Sequence, residues 1–348
     1  MPSPNPPTPR IYRDADASLD ALAGERIAVL GYGNQGRAQA LNLRDSGLDV
    51  VIGVRADETR ARAVRDGFVA HEPAEAVRGA DVVMLLLPDE VMPDVFHEQV
   101  RPVLRAGACV EVASGYNVAF GHLELPADVD VVMVAPRMIG PGVRELYLSG
   151  RSFPSFVAVH QDATGRARAR MLAIARGIGS TRAGCLELSC ADEAALDLFN
   201  EQGFGPAFGM ALTNAIGTLI EAGFPPEAVL LEILHSGELA YTLMRMVRDG
   251  IVDQMDHHSH TSQYGSMTRA LRFLDLDVRS RMERVLEEIR SGAFAREWSE
   301  ERRKGMPLYT KLREARLQHP VREWETRVRA AFALFDDEPR EGDEREAG

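Results

Sequence analysis

Residues 26–36 constrain this chain more than any other stretch. The strand-like run RIAVL at 26–30 enters GYGNQG at 31–36, and helix-favouring RAQALNLRDSG follows at 37–47. Gly31, Gly33 and Gly36 have the spacing of a dinucleotide fingerprint, and the strand–turn–helix context that this fingerprint requires is present. Gly31 permits the tight turn, Gly33 lets the backbone approach a pyrophosphate, and Gly36 lets the helix pack closely on the sheet. Tyr32, Asn34 and Gln35 complete the candidate loop. The helix start offers free N–H groups and a partial positive charge to phosphates, so a nicotinamide or flavin dinucleotide is the first expectation.

The rest of the first half repeats this alternation. Short apolar runs at 27–31, 50–54, 81–88, 109–113, 131–136 and 156–160 are separated by helical stretches. Continuous β-branched runs of this kind predict a parallel sheet covered on both faces, hence a doubly wound α/β domain over residues 11–185. Strand signals then stop. Helical patterns at 191–222, 225–248 and 276–290 predict an all-α domain over 186–335, with Met244 and Met246 as core filler. The proline-rich opening (1–10) reads as a disordered leader without a targeting signal, and the acidic stretch 336–348 as a disordered tail.

A net charge of −12 argues against nucleic acid or an anionic membrane as a partner of the whole surface. No apolar run approaches the roughly 18 residues of a membrane span. The three cysteines, Cys109, Cys185 and Cys190, lack metal-knuckle spacing and form no even framework, which fits a reducing cytoplasm.

Acidic residues supply the second signal. Asp197 and Glu201 in DLFNEQ stand four apart on a predicted helix, which places both carboxylates on one face. An isolated pair of this kind is ordinarily a solvated face. Here the following GFGPAFGMALTNAIGTLI is almost uncharged, and buried carboxylates need a metal or a partner. Glu232 lies amid apolar neighbours in LLEILHSGEL, with Glu238 six residues later. Hard oxygen donors favour Mg²⁺. The cluster His257, His258 and His260 suggests a softer metal, but it also reads as a polar loop.

These segments in this order, with LLLPDE (85–90), DVDVVMVAP (128–136), AVHQDATG (158–165), SHTSQYG (259–265) and SGAFAREW (291–298), resemble ketol-acid reductoisomerase of the shorter-chain class. The resemblance spans about residues 11–335. It implies a Rossmann-like domain with an all-α domain that intertwines into a homodimer, and it implies NAD(P)H and Mg²⁺ as cofactors. The implied reaction is a metal-assisted alkyl shift in a 2-acetolactate-type acid, followed by hydride reduction of the 2-keto-3-hydroxy acid. Asp197 and Glu201 then resemble metal ligands, Glu232 a ligand from the partner subunit, and Ser259 the serine that holds the substrate carboxylate.

The departures from the family pattern are equally specific. Ser114 stands where A-H-G-[FY]-N carries its histidine, and a serine cannot hold a proton at neutral pH as imidazole does. Arg137 replaces the lysine of A-P-K-G-P-G-H, and Met138-Ile139 follow it. Ser236-Gly237 separate Glu232 from Glu238 by two extra residues, so on a regular helix Glu238 points away from Glu232 unless a bulge intervenes. After the second strand, where the family places Arg and two serines around a 2′-phosphate, this chain has Arg55, Glu58 and Arg60, and a carboxylate there favours the ribose 2′-hydroxyl of NADH.

Three readings follow. In the first, the chain is a diverged reductase of small 2-keto acids with altered or lost isomerase activity, with Ser114, Arg137 and Glu238 at its changed centre. In the second it is an ordinary ketol-acid reductoisomerase of branched-chain amino-acid synthesis. In the third it is a non-catalytic dinucleotide-binding homologue.

Overall fold

A computed structural model describes residues 8–332. The proline-rich residues through Pro7 and the acidic tail lie outside this range. The chain divides into two compact units between Asp197 and Leu198.

The first unit is built on a nine-stranded sheet. Its strands are β1 (Ile11–Tyr12), β2 (Arg26–Leu30), β3 (Asp49–Gly53), β4 (Val69–His71), β5 (Val82–Leu85), β6 (Cys109–Val112), β7 (Asp130–Pro136), β8 (Ser155–Gln161) and β9 (Cys185–Glu187). Their spatial order is β1-β9-β8-β7-β6-β5-β2-β3-β4. From β4 to β7 every pairing is parallel, while β8 runs antiparallel to β7 and β1 antiparallel to β9. The chain leaves β2 toward β3 on one side and later returns to β5 on the other, which opens a crevice at the carboxyl ends of these strands.

The unbroken apolar runs have a direct cause in packing. Ile27 and Val29 of β2 enter one core, whereas Ala28 and Leu30 enter the other on the opposite face. Val82 and Met84 of β5 divide from Val83 and Leu85 in the same way. With helices on both faces no strand position is left for a polar residue, and period-2 alternation disappears. Glu111 on β6, Asp130 on β7 and Ser155 on β8 are exceptions: Glu111 is fully buried, and neither of its carboxylate oxygens makes a well-formed hydrogen bond. The short strands β1, β4 and β9 add to the six that the sequence announces.

The second unit is helical. Its longer helices are Gly205–Glu221, Glu238–Asp249, His260–Ala270, Val278–Arg290, Ala293–Arg303, Pro307–Leu317 and Val321–Ala331. One buried cluster is built on Ile216, Val229, Leu230 and Val328, and Ile289 and Ala295 are also buried. Met244 is 43% exposed and Leu243 equally so, which corrects the expectation of core filler. Tyr241, Met244 and Val247 on the same helix are all exposed at a spacing of three, an apolar stripe open to solvent in the single chain. No helix among the described residues is long and apolar enough to cross a membrane.

Candidate active site

Gly31 follows β2, and its φ of 94° lies in the left-handed region. A Cβ on Gly31 would lie 2.3 Å from the Leu86 carbonyl oxygen, and one on Gly36 would lie 2.2 Å from the Gly31 carbonyl oxygen. Turn and helix are thus pressed together where a side chain has no room. Gly33 differs, because a Cβ there meets nothing within 4 Å. It precedes the helix Asn34–Asp45 and lines a cleft of about 670 Å³ at the strand ends, with Asn34, Leu86, Asp89 and Ser114. Open backbone at a helix N-terminus is the shape that a pyrophosphate fits.

The loop is held from two sides. Tyr32 is buried and its hydroxyl donates to Asp66 Oδ2 at 2.8 Å, while Arg37 Nε donates to the same oxygen at 2.8 Å. Gln35 Nε2 donates to the Met138 carbonyl oxygen at 2.8 Å, and a Cβ on Gly140 would lie 2.1 Å from the Asn34 carbonyl oxygen. Asp66 and Gly140 carry no local sequence signal for this role, since their partners are remote in the chain.

At the mouth of the cleft the lining residues are Arg55, Asp57 and Thr59. Glu58 turns along its helix to Arg65, with Oε1 2.6 Å from Nη2. Arg60 is drawn inward to the Val54 carbonyl oxygen at 2.7 Å and to Glu72 at 2.5 Å. Asp57 caps the helix by accepting the Thr59 N–H at 2.9 Å, so it is the carboxylate that the fold puts at the mouth.

From Ser114 a chain of contacts leads away from the cleft. The Ser114 hydroxyl accepts the Tyr116 N–H at 3.3 Å. The adjacent Gly115 N–H donates to Glu193 Oε2 at 2.7 Å, and a Cβ on Gly115 would lie 2.1 Å from the Cys190 carbonyl oxygen. Glu193 is wholly buried on the helix Cys190–Phe199, and Arg137 at the end of β7 reaches it with Nη2 at 2.8 Å. Arg137 Nη1 pairs with Asp197 Oδ1 at 2.9 Å, one turn further along that helix, and the guanidinium lies over the Phe156 ring at 4.9 Å. Burial pushes the Glu193 carboxyl above the ordinary range, against the opposing pull of the Gly115 N–H and Arg137. Sequence reasoning missed Glu193. Its signal is the spacing of four from Asp197, the same spacing that singled out Glu201.

In the helical unit, Glu201 lies in a π-helical turn, Asn200–Phe204, rather than in a continuing α-helix. Glu232 lies in another, Leu231–His235. Gly237 then takes φ 82° and a new helix starts at Glu238. The regular-helix phase between Glu232 and Glu238 therefore does not apply, and both side chains are exposed. Ser259 caps the helix His260–Ala270 by accepting the Ser262 N–H at 3.2 Å. His257 is engaged by Asp249 at 2.9 Å and by Arg245, as a polar loop requires. Among the described residues no three His, Cys, Asp or Glu side chains are grouped to hold a metal ion.

Residues 21–184 match the family model described as acetohydroxy acid isomeroreductase, NADPH-binding domain, and residues 191–334 match ketol-acid reductoisomerase, C-terminal domain. The chain belongs to the ketol-acid reductoisomerase family. It is 46% identical over 314 residues to the ketol-acid reductoisomerase (NADP(+)) of Pyrobaculum calidifontis, covering 90% of this chain and 95% of that protein. The enzyme of the same name from Pyrobaculum arsenaticum is 45% identical over the same shares. Among solved structures, an NADH-preferring ketol-acid reductoisomerase from an uncultured archean superposes with a TM-score of 0.89 at 35% identity, covering 93% of this chain and all of that one. The family is one of NAD(P)H-dependent oxidoreductases. Similarity of this breadth does not support the diverged-reductase or non-catalytic readings; the ordinary family activity fits best.

Proposed function

We propose that this protein is an ordinary ketol-acid reductoisomerase, converting a 2-acetolactate-type acid to a 2-keto-3-hydroxy acid and reducing that to the dihydroxy acid. The observation that carries the reading is the unbroken chain of contacts from the dinucleotide cleft at Ser114 through Gly115 and Glu193 to Arg137 and Asp197. It ties a cofactor cleft to a carboxylate fit for a hard cation.

The residues fit both absent groups. The open backbone at Gly33 suits a pyrophosphate, and the seat of Asp197 already takes a cationic partner in Arg137. Asp197 and Glu201 would hold Mg²⁺ with Glu232 and Glu238 of a second copy, since those two carboxylates and the apolar stripe at Tyr241, Met244 and Val247 are exposed in the single chain. Bound there, Mg²⁺ supplies Lewis acidity toward the substrate oxygens. Ser259 would donate its hydroxyl to the substrate carboxylate. Arg137 would present its guanidinium to the reacting acid, and Ser114 offers a hydrogen bond but no titrating group. The cleft lined by Gly31, Gly33, Asn34 and Ser114 would hold the dinucleotide, which would supply the hydride for the reduction.

The dinucleotide reading is NAD(P)H with NADH preferred, supported by the Asp57 carboxylate at the mouth and by Arg60, which is drawn away from it. The protein is expected in the cytoplasm as a homodimer. NAD(P)H consumption with 2-acetolactate in Mg²⁺ tests the reading. Efficient turnover is expected. Consumption only with the already isomerised 2-keto-3-hydroxy acid would instead restore a reductase that has lost the alkyl shift.

A further inference from the structure

Arg137 joins two carboxylates of unequal standing. Glu193 is wholly buried, and its second oxygen is occupied by the Gly115 N–H at 2.7 Å. The Asp197 side chain is 39% exposed. The guanidinium spans them with separate nitrogens, Nη2 to Glu193 at 2.8 Å and Nη1 to Asp197 at 2.9 Å, and its face rests on Phe156. Releasing Glu193 would strand a buried carboxylate, which is costly. Releasing Asp197 costs little, because water reaches it.

Resting on the metal reading above, we propose that Arg137 is a positioning residue that latches Asp197. It holds the carboxylate, and a divalent cation would take Asp197 from it while Glu193 and Phe156 keep the guanidinium in place. Its two-pronged geometry matters as much as its charge. A lysine ammonium is a single, strongly hydrated point and cannot reproduce the fork across two carboxylates. The latch therefore weakens metal binding by the worth of one partly exposed ion pair, about 1.5- to 5-fold.

The test is Mn²⁺ binding to the full chain, read as free Mn²⁺ by electron paramagnetic resonance. Wild type, Asp197→Asn, Arg137→Lys and Arg137→Gln are compared, with NADH affinity and circular dichroism as folding controls. Wild type should bind Mn²⁺ and Asp197→Asn should lose most of that affinity. Both Arg137 variants should bind about 1.5- to 5-fold tighter than wild type. Tightening in Arg137→Gln alone, with Arg137→Lys equal to wild type, would reduce the effect to through-space repulsion; the latch falls and the metal reading stands. Equal affinity in wild type and Asp197→Asn would remove both. Should Arg137→Gln fail to fold, tightening in Arg137→Lys supports the latch and unchanged affinity there overturns it.

Discussion

Replacing Glu111 with Met should stabilise the protein, and the gain should grow with pH. Glu111 sits mid-sheet, in register with Met84 of β5 and Val132 of β7, wholly buried. Burial pushes its carboxyl up to about 8 from an ordinary 4.5, only partly offset by the backbone N–H of Val134. The folded value is raised, so between pH 4.5 and about 8 the native state keeps a proton that the unfolded chain has lost. The wild type therefore loses stability as pH rises through that window and stays level above it. At about 1.4 kcal/mol per pKa unit, the cost is ~3 kcal/mol at pH 7 and ~5 kcal/mol once the group ionises in both states. Methionine has a similar volume and needs no hydrogen bond, so the variant escapes this cost. Thermal unfolding of both proteins at matched concentration from pH 5 to 9 measures it. At about 2–4 °C per kcal/mol, the variant should lead by roughly 6–12 °C at pH 7, with a smaller lead at pH 5. A lead that does not change with pH would show that Glu111 carries a partner and is ionised throughout, and would refute the reasoning.

Arg137→Met should lower stability by ~3 kcal/mol by stranding the buried Glu193, with little contribution from the more exposed Asp197, and Arg137→Met/Glu193→Gln should recover at least half of the loss in thermal unfolding. Gly36→Ala, whose Cβ would lie 2.2 Å from backbone, should cost roughly 1–3 kcal/mol in the same assay. Gly33→Ala meets nothing in the protein, so it should leave thermal unfolding nearly unchanged and weaken NADH binding in a fluorescence titration. In that titration the wild-type dissociation constant for NADH should be lower than for NADPH, and Asp57→Ser should narrow the difference.

The features legible in the sequence are those carried by neighbours along the chain. An apolar strand run, three glycines and a helix start lie within 26–47, and their conformational demands are local, so the dinucleotide loop and the α/β class could be read directly. The spacing of four between Asp197 and Glu201 was equally readable, yet the π-helical turn at 200–204 changes the phase that this spacing presumes. Likewise Ser236-Gly237 marked an irregularity, but only the backbone at Gly237 determines that the helix breaks and restarts at Glu238. Other decisions belong wholly to tertiary structure. Glu193 meets Gly115 across 78 residues, Arg137 meets Asp197 across 60, and Tyr32 meets Asp66 across 34. The choice of Asp57 rather than Glu58 at the cleft mouth follows from which of two adjacent carboxylates caps the helix and which turns to Arg65. Local propensity sets the turns and helices. Which side chains then share one buried charge is settled only when distant segments are brought into contact, because the cost of desolvating a carboxylate depends on what else is buried beside it.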